Sequence, residues 1–203
     1  ISACLVGSEM CIRDSLLSGM GELHLEITAY RMQEASLKVK ISKPIVIYRE
    51  TITHDYQGPS IMGKSPNKHN KLWVTLEKLP DDVIEAIRTG KLSEMQKRDE
   101  RQKMLTQRLG WTTEDARNVI AIEGTNLLVN RIKGKQYVEE VLDHIKSGFR
   151  EAVYTSILAK EPAYGVKVNL EDILVHEDPV HRGPAQILPM TWRPIWCCFL
   201  LSE

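Results

Sequence analysis

The stretch Val138–Leu158 constrains this chain more than any other. Val138, Val141, Leu142, Ile145, Phe149, Val153 and Ile157 recur at three- and four-residue steps, so a helix here carries one continuous apolar stripe. Such a helix is stable only when the stripe lies on a second apolar layer. The flanking sequence supplies one. Leu72–Leu76 (LWVTL), Tyr164–Asn169 and Ile173–His176 are short apolar runs that predict strands. Strands and helices in alternation predict an α/β (α+β) domain with a mainly parallel-strand core and helices on one side.

Upstream, Leu23, Ile27 and Tyr30 give Gly21–Ala35 a helical period, Leu37–Ile41 alternates, and Ile45–Ile52 is rich in β-branched residues. One helix and two strands bury too little for a core of their own, so they are read as the tail of a split α/β domain. Thr53–Asn70 is a polar connection rich in Gly, Pro, Ser and Asn. Asp81–Leu109 is charged and helical, with a stop at Thr89-Gly90. Thr112 and Thr113 ahead of Glu114-Asp115 signal a helix start, and a short helix is expected through Val119. Asn126–Asn130 and its flanks carry turn residues around a short apolar piece. Pro179–Pro184 reads as a loop, and Ala185–Glu203 as a final helix disturbed by Pro189 and Pro194.

Composition excludes several classes. Of 203 residues, 42% are apolar and 27% charged, the balance of a globular chain. No apolar run reaches the ~18 residues of a membrane span, and Ile1–Asp14 lacks the basic start and apolar core of a signal peptide. The net charge is zero, whereas a protein that grips nucleic acid along a broad face carries a basic excess. Any RNA contact is therefore expected to be local. Cys4, Cys11, Cys197 and Cys198 have no metal-binding spacing, and adjacent cysteines do not readily bridge each other. Reduced thiols in a cytoplasmic protein are expected. Ile1–Asp14 shows neither strand nor helix period and is similar to translated sequencing-adapter read-through, so residues 1–15 are set aside as non-native. The apolar, uncapped run Trp196–Glu203 reads as a cut end.

Gly58-Pro-Ser-Ile-Met-Gly-Lys-Ser65 matches the G-x-x-x-x-G-K-[ST] pattern of phosphate loops. That chemistry needs backbone N–H groups wrapped around the phosphates and a helix opening at the Lys-Ser pair. Here Pro59 removes one N–H, Pro66-Asn67-Lys68-His69-Asn70 and then LWVTL follow Ser65, and no apolar strand ending in Asp appears downstream to hold magnesium. A small P-loop NTPase using Lys64 and Ser65 is the enzyme-class alternative, and it rests on the letters alone.

Three distant segments share a polar, turn-rich character: Gly63-Lys-Ser-Pro-Asn-Lys-His-Asn70, Gly124-Thr-Asn126 and Val180-His-Arg-Gly-Pro-Ala-Gln186. In the third, Gly183 permits a tight bend and Pro184 stiffens the residues after it. Each segment alone fits solvated surface as well as a binding site. His176-Glu-Asp-Pro-Val-His181 lacks the spacing of a zinc-binding helix, and Pro179 breaks any helix that would align the two imidazoles, so no metal is expected. Together the three suggest recognition loops on a rigid scaffold, gathered at one end of the fold.

Longer runs carry a resemblance. Leu17-Ser-Gly-Met-Gly-Glu-Leu-His-Leu-Glu26 and Pro44-Ile-Val-Ile-Tyr-Arg-Glu-Thr51 resemble the third domain of the archaeal and eukaryotic elongation factor 2 family and the chain leading out of it. Gly63–Asn70, Ile145-Lys-Ser-Gly-Phe149, Tyr164-Gly-Val-Lys-Val168 and Leu174-Val-His-Glu-Asp-Pro-Val-His-Arg-Gly-Pro-Ala-Gln186 resemble its domain IV. The likeness covers nearly all of 16–203 in order, and Arg182–Gln186 is similar to the archaeal form.

The resemblance implies that 16–48 is the C-terminal part of a truncated ferredoxin-like domain III. It implies that 49–203 is a ribosomal-protein-S5-like domain IV with its final helix and a left-handed crossover, against the usual handedness. It implies translation elongation in the cytoplasm: translocation of tRNA and mRNA through the ribosome, this chain supplying the tip at the small-subunit decoding centre. GTP and magnesium belong to full-length members of the family. The fragment is expected to bind no cofactor, to have no catalytic residue and to hydrolyse no GTP. By the same resemblance, diphthamide-synthesis enzymes modify His181, and Arg182 meets a phosphate or a base. Gly183 and Pro184 shape the loop, Lys64, Pro66, Lys68 and His69 touch the tRNA–mRNA duplex or ribosome, Asn67 and Asn70 hold their loop there, and Thr125 and Asn126 add the second turn. Pro179 departs from relatives, which commonly have Ala.

Overall fold

In the computed structural model, which describes residues 2–6 and 15–202, the chain divides into two compact units, Ile1–Tyr48 and Arg49–Glu203. In the first, β1 (Ser2–Val6) pairs antiparallel with both β2 (Ser15–Ser18) and β3 (Lys40–Ile41), and α1 (Glu22–Glu34) follows β2. The expectation that Ile1–Asp14 has no strand period is thus corrected at Ser2–Val6; the rest of that segment, with Cys11, lies outside the described residues. The apolar stripe expected to face inward on α1 is also corrected. Leu25 and Ala29 are buried, while Leu23, Ile27 and Tyr30 face solvent. The helix has apolar side chains on two faces, and only the Leu25 face meets Leu17, Ile41 and Pro44. Ile45–Ile52 is not a strand; Ile45, Val46, Ile47 and Tyr48 are exposed.

The second unit is built on a five-stranded sheet of order β4-β5-β8-β7-β6: β4 (Ile61–Lys64), β5 (Lys71–Lys78), β6 (Val119–Glu123), β7 (Asn126–Asn130) and β8 (Val166–Leu174). The α/β (α+β) class stands and is consistent with an S5-like arrangement, but the sheet is not mainly parallel. Only β7 and β8 run parallel; β4–β5, β5–β8 and β6–β7 are antiparallel. For β4–β5 and β6–β7 the short connections permit nothing else, whereas β5 and β8 are brought together from distant parts of the chain. Gly124-Thr125 turns β6 into β7, with Gly124 at φ +58°, and only the longer crossover through α5 (Val138–Tyr154) joins parallel neighbours. β8 fuses the two expected strands, because the register shift beside Trp73/Val74 absorbs Glu171 as a bulge.

Helices cover both faces, not one. Leu72, Val74 and Leu76 of β5, Leu128 of β7, and Val166, Val168 and Leu170 of β8 pack with α5 and with α6 (Pro184–Leu201), whose Ile187, Met190, Ile195 and Phe199 point inward. Leu127 and Val129 face the other way, onto α2 (Asp81–Arg88), α3 (Arg98–Leu109) and α4 (Thr113–Arg117). The continuous apolar run Leu127-Leu128-Val129 is the mark of a strand buried on both faces.

Helix ends follow local chemistry. Gly90 stops α2 at φ +71°, and Thr112 caps α4 by accepting from Asp115 N at 3.2 Å. α5 ends at Tyr154, before the expected Leu158. The segment beyond it folds around the buried Glu50 carboxylate, which accepts from Leu158 N (3.0 Å), Ala159 N (2.7 Å) and Glu161 N (3.1 Å). Burial pushes this carboxyl up, but the Ser156 hydroxyl and these N–H groups outweigh it and hold it below its ordinary value.

α6 runs unbroken through Pro189 and Pro194. Each proline costs a backbone bond, and the buried face of the helix offsets that loss. The carbonyl that Pro194 leaves free, on Met190, lies against Gly63 of β4, where a Cβ would sit 2.2 Å from it.

On the outer face, charged side chains fasten α4 to the sheet. Arg131 donates to Asp115 through Nε (3.0 Å) and Nη2 (2.8 Å) and to Glu171 (3.0 Å), and pairs with Glu77 at 3.2 Å. Lys167, beneath the Trp111 ring, bridges Glu77 and Asp115 at 2.9 Å each. The Arg131 bonds, with Lys167, hold Asp115 at about 2 against the opposing effect of burial.

Candidate nucleic-acid interface

The β4–β5 hairpin ends in the loop Ser65–Asn70. Lys68 N donates to Ser65 O (2.8 Å) and Ser65 N to Asn70 O (3.0 Å), which brings Lys68 to φ +65°. Asn67 Oδ1 accepts from the Ser65 hydroxyl and from His69 N, the side-chain-to-backbone bonding that Asn favours in turns.

The same two asparagines reach a segment more than a hundred residues away. Asn67 Nδ2 lies 3.2 Å from His181 Nδ1, and Asn67 N donates to Gln186 Oε1 at 3.0 Å. Asn70 Nδ2 donates to His181 O (2.7 Å), and its Oδ1 accepts from His176 N (2.9 Å). Asp178 shapes the approach, accepting from Val180 N at 3.0 Å and starting a 3-10 turn at Pro179–Arg182. The result is a cluster of three imidazoles. The rings of His69, His176 and His181 lie 4.7–4.9 Å apart, centroid to centroid. Two of the pairs are tilted and His176 meets His181 edge to face, and among the described residues no three His, Cys, Asp or Glu side chains are arranged to hold a metal ion.

Around the cluster Lys64, Pro66, Lys68 and His69 are exposed, and His181 is half-buried. Asn70 has 0% exposure, so it clamps the two loops together and offers no surface. Arg182 corrects the sequence reading. At 6% exposure, its guanidinium donates to His176 O (2.8 Å), Glu177 O and Glu140, and lies 3.8 Å from the Tyr137 ring centroid. Buried and bonded through all three of its nitrogens, it braces the loop from behind and is not displayed at the surface. Gly183 is extended, at φ −65°, with nothing near a would-be Cβ, so the bend does not require glycine. Pro184 takes the first helical position, where a missing N–H costs nothing.

Thr125 and Asn126 do not join the cluster. Leu127 pairs with Lys167 at the start of β8, whereas Lys71, at the foot of the Ser65–Asn70 loop, pairs with Leu174 at its end. The two turns are therefore about 23 Å apart along the strand, at about 3.3 Å per residue. Thr125 Oγ1 accepts from Gly165 N, and the buried Asn126 bonds Ala163 O and Val166 N. They lock the opposite end of the sheet.

The phosphate-loop match fails physically. Gly63 and Lys64 lie in β4, and β5 follows the turn without a helix. The buried Ser65 hydroxyl is occupied by Asn67 and Asn70. Sequence reasoning missed Tyr137 and Glu140, and it assigned no role in the cluster to His176, weighed only as a metal ligand, or to Gln186; these are the four whose part the structure adds. Two of them, His176 and Gln186, belong to the Leu174–Gln186 run that carries the family resemblance; nothing in the sequence points to Tyr137 or Glu140.

A family model described as elongation factor G, domain IV, matches residues 91–203. Elongation factor 2 of Methanopyrus kandleri is 45% identical over 190 residues, 93% of this chain and 15% of that protein. The elongation factor 2 proteins of Thermococcus onnurineus and Aeropyrum pernix are each 46% identical, over 188 and 187 residues, covering 91% of this chain and 25% of theirs. The chain thus spans a quarter or less of the length of these relatives.

Proposed function

Because this chain belongs to the elongation factor G domain IV family, we propose that it serves translation elongation as the part of a longer translocase that probes the small-subunit decoding centre while tRNA and mRNA move. The observation that carries this reading is the double clamp: Asn67 and Asn70 hold the His181 segment against the Ser65–Asn70 loop. A recognition group is useful only when its position is fixed, and here two loops fix one another. Lys64, Lys68 and His69 present cations and hydrogen-bond donors beyond the clamp, suited to the phosphates and 2′-hydroxyls of a shallow RNA minor groove. Asn67, Asn70 and Arg182 act behind them as supports.

His181 is the residue that diphthamide-synthesis enzymes would modify. Its Nδ1 faces Asn67, which orients the ring, and a cationic extension from it would lengthen the reach of the apex toward the tRNA–mRNA duplex. This chain binds no GTP on this reading, since its phosphate-loop letters fold as a strand. The test is mass spectrometry of the His181 peptide from the native host. A modified imidazole is expected, and full occupancy by plain histidine overturns the assignment. In the full-length protein, Lys64→Ala with Lys68→Ala is expected to slow translocation; an unchanged rate overturns the contact.

A further inference from the structure

The formal charge of zero conceals a segregation. Residues 88–108 hold seven basic and three acidic side chains, a net charge of +4, which leaves −4 for the rest. Among the described residues, most of these basic groups have no carboxylate partner, as is also true of Lys64, Lys68, Lys71 and Lys78 in the β4–β5 hairpin, whereas seven other cations do. Arg131, Lys133, Lys135, Lys146, Arg150, Lys167 and Arg182 each have a carboxylate partner. Among the described residues, the exposed Arg88, Lys91, Lys97, Arg98, Lys103, Arg108 and Arg117 have none. A surface that leaves its cations unpaired is open to an external polyanion.

Two of these arginines share a cleft. Arg98, Thr113, Glu114, Arg117 and Asn118 line an open cavity of about 530 Å³ where the start of α3 meets α4. Arg98 Nε donates to Arg117 O at 2.8 Å, which fixes the first guanidinium beside the second residue and leaves its terminal nitrogens uncommitted. The Thr113 hydroxyl, the Arg117 guanidinium and the Asn118 amide make no hydrogen bond or ion pair among the described residues. Glu114, the acid among the cleft's lining residues, is paired with Lys133. Two guanidinium groups, a hydroxyl and an amide lining one open cleft supply the kinds of hydrogen-bond donor that phosphate oxygens accept.

The geometry points to a second RNA-binding site in this cleft, one that takes the phosphodiester backbone without reading sequence. This rests on the translational reading above and extends it, because the cleft is not part of the apex. Val119, which follows it, lies across β7 from Asn169, in the middle of β8. That places the cleft on the order of 20 Å from the Leu174 end, so the chain would hold RNA at two points and resist pivoting about its tip.

The test is fluorescence anisotropy of the intact 203-residue chain with a labelled A-form RNA hairpin over a range of salt. Arg98→Gln with Arg117→Gln is compared with Lys64→Gln with Lys68→Gln, after thermal melts show that both variants fold. Each lost phosphate contact lowers the slope of log Kd against log salt by about 0.9. The cleft variant is therefore expected to lose about 2 units of slope and to bind about tenfold more weakly. An unchanged slope in the cleft variant with a reduced slope in the apex variant overturns the cleft and leaves the apex standing. The reverse supports the cleft and removes the apex. A wild-type chain that ignores the hairpin, or a polyglutamate peptide that binds the cleft more tightly than RNA does, also overturns it.

Discussion

Asp115→Asn tests whether the outer-face charges fasten α4 to the sheet. The Asp115 carboxylate receives both Arg131 Nε and Nη2 and the Lys167 ammonium, and its side chain is 16% exposed. Its pKa of about 2, against an ordinary 3.8, corresponds to about 2 kcal/mol at 1.36 kcal/mol per unit. The folded value is depressed, so the contribution is fully present above about pH 4 and is lost as pH falls toward 2. Urea unfolding followed by tryptophan fluorescence reads this directly, because Trp73, Trp111, Trp192 and Trp196 all lie in the second unit. At pH 7 the variant is expected to be about 2–3 kcal/mol less stable, the excess over the titration value coming from the disturbed Lys167 and Arg131. The gap should close between pH 4 and pH 2. A difference that stays constant over that interval would show that the charge of Asp115 contributes nothing and would refute the reasoning.

Four further changes probe other links. Glu50→Gln removes the charge that three backbone N–H groups point at; a loss of about 2–3 kcal/mol is expected, with faster hydrogen exchange at Leu158, Ala159 and Glu161, and unaltered exchange there would count against the nest. Asn70→Ala unties His181 O and strands His176 N–H, so NMR contacts between the His69 and His181 rings should weaken and stability should fall by about 1–3 kcal/mol; intact ring contacts would assign the clamp to other residues. Gly63→Ala places a methyl group 2.2 Å from Met190 O and 2.7 Å from Pro194, for an expected cost of about 1–3 kcal/mol. Gly183→Ala, with open space at its Cβ, should stay within about 0.5 kcal/mol, and similar melting temperatures for the two glycine variants would contradict the close approach of β4 and α6.

What the sequence determined by itself is local. The stripe from Val138 to Val153 is a property of spacing, and α5 buries most of it. Gly90 ends α2 and Thr112 opens α4 because φ and capping bonds are settled within a few residues. Within its own turn Asn67 accepts from Ser65 and His69 as asparagine does locally, but the Asn70 side chain reaches His176 and His181, more than a hundred residues away. Tertiary structure decided whatever depended on a partner far along the chain. The strand direction of β4 and β6 followed from their hairpin neighbours, and the run Leu127–Val129 became a strand buried on both faces only once α3 and α5 lay on either side of it. Arg182 looked like a ligand contact until Glu140, more than forty residues upstream, took one of its donors and the Tyr137 ring covered its guanidinium. Gly124–Asn126 looked like part of the apex until the β8 register placed it at the other end. A side chain's chemistry is written in its identity, but whether that chemistry faces water or the interior is set by contacts whose sequence separation leaves no periodic trace.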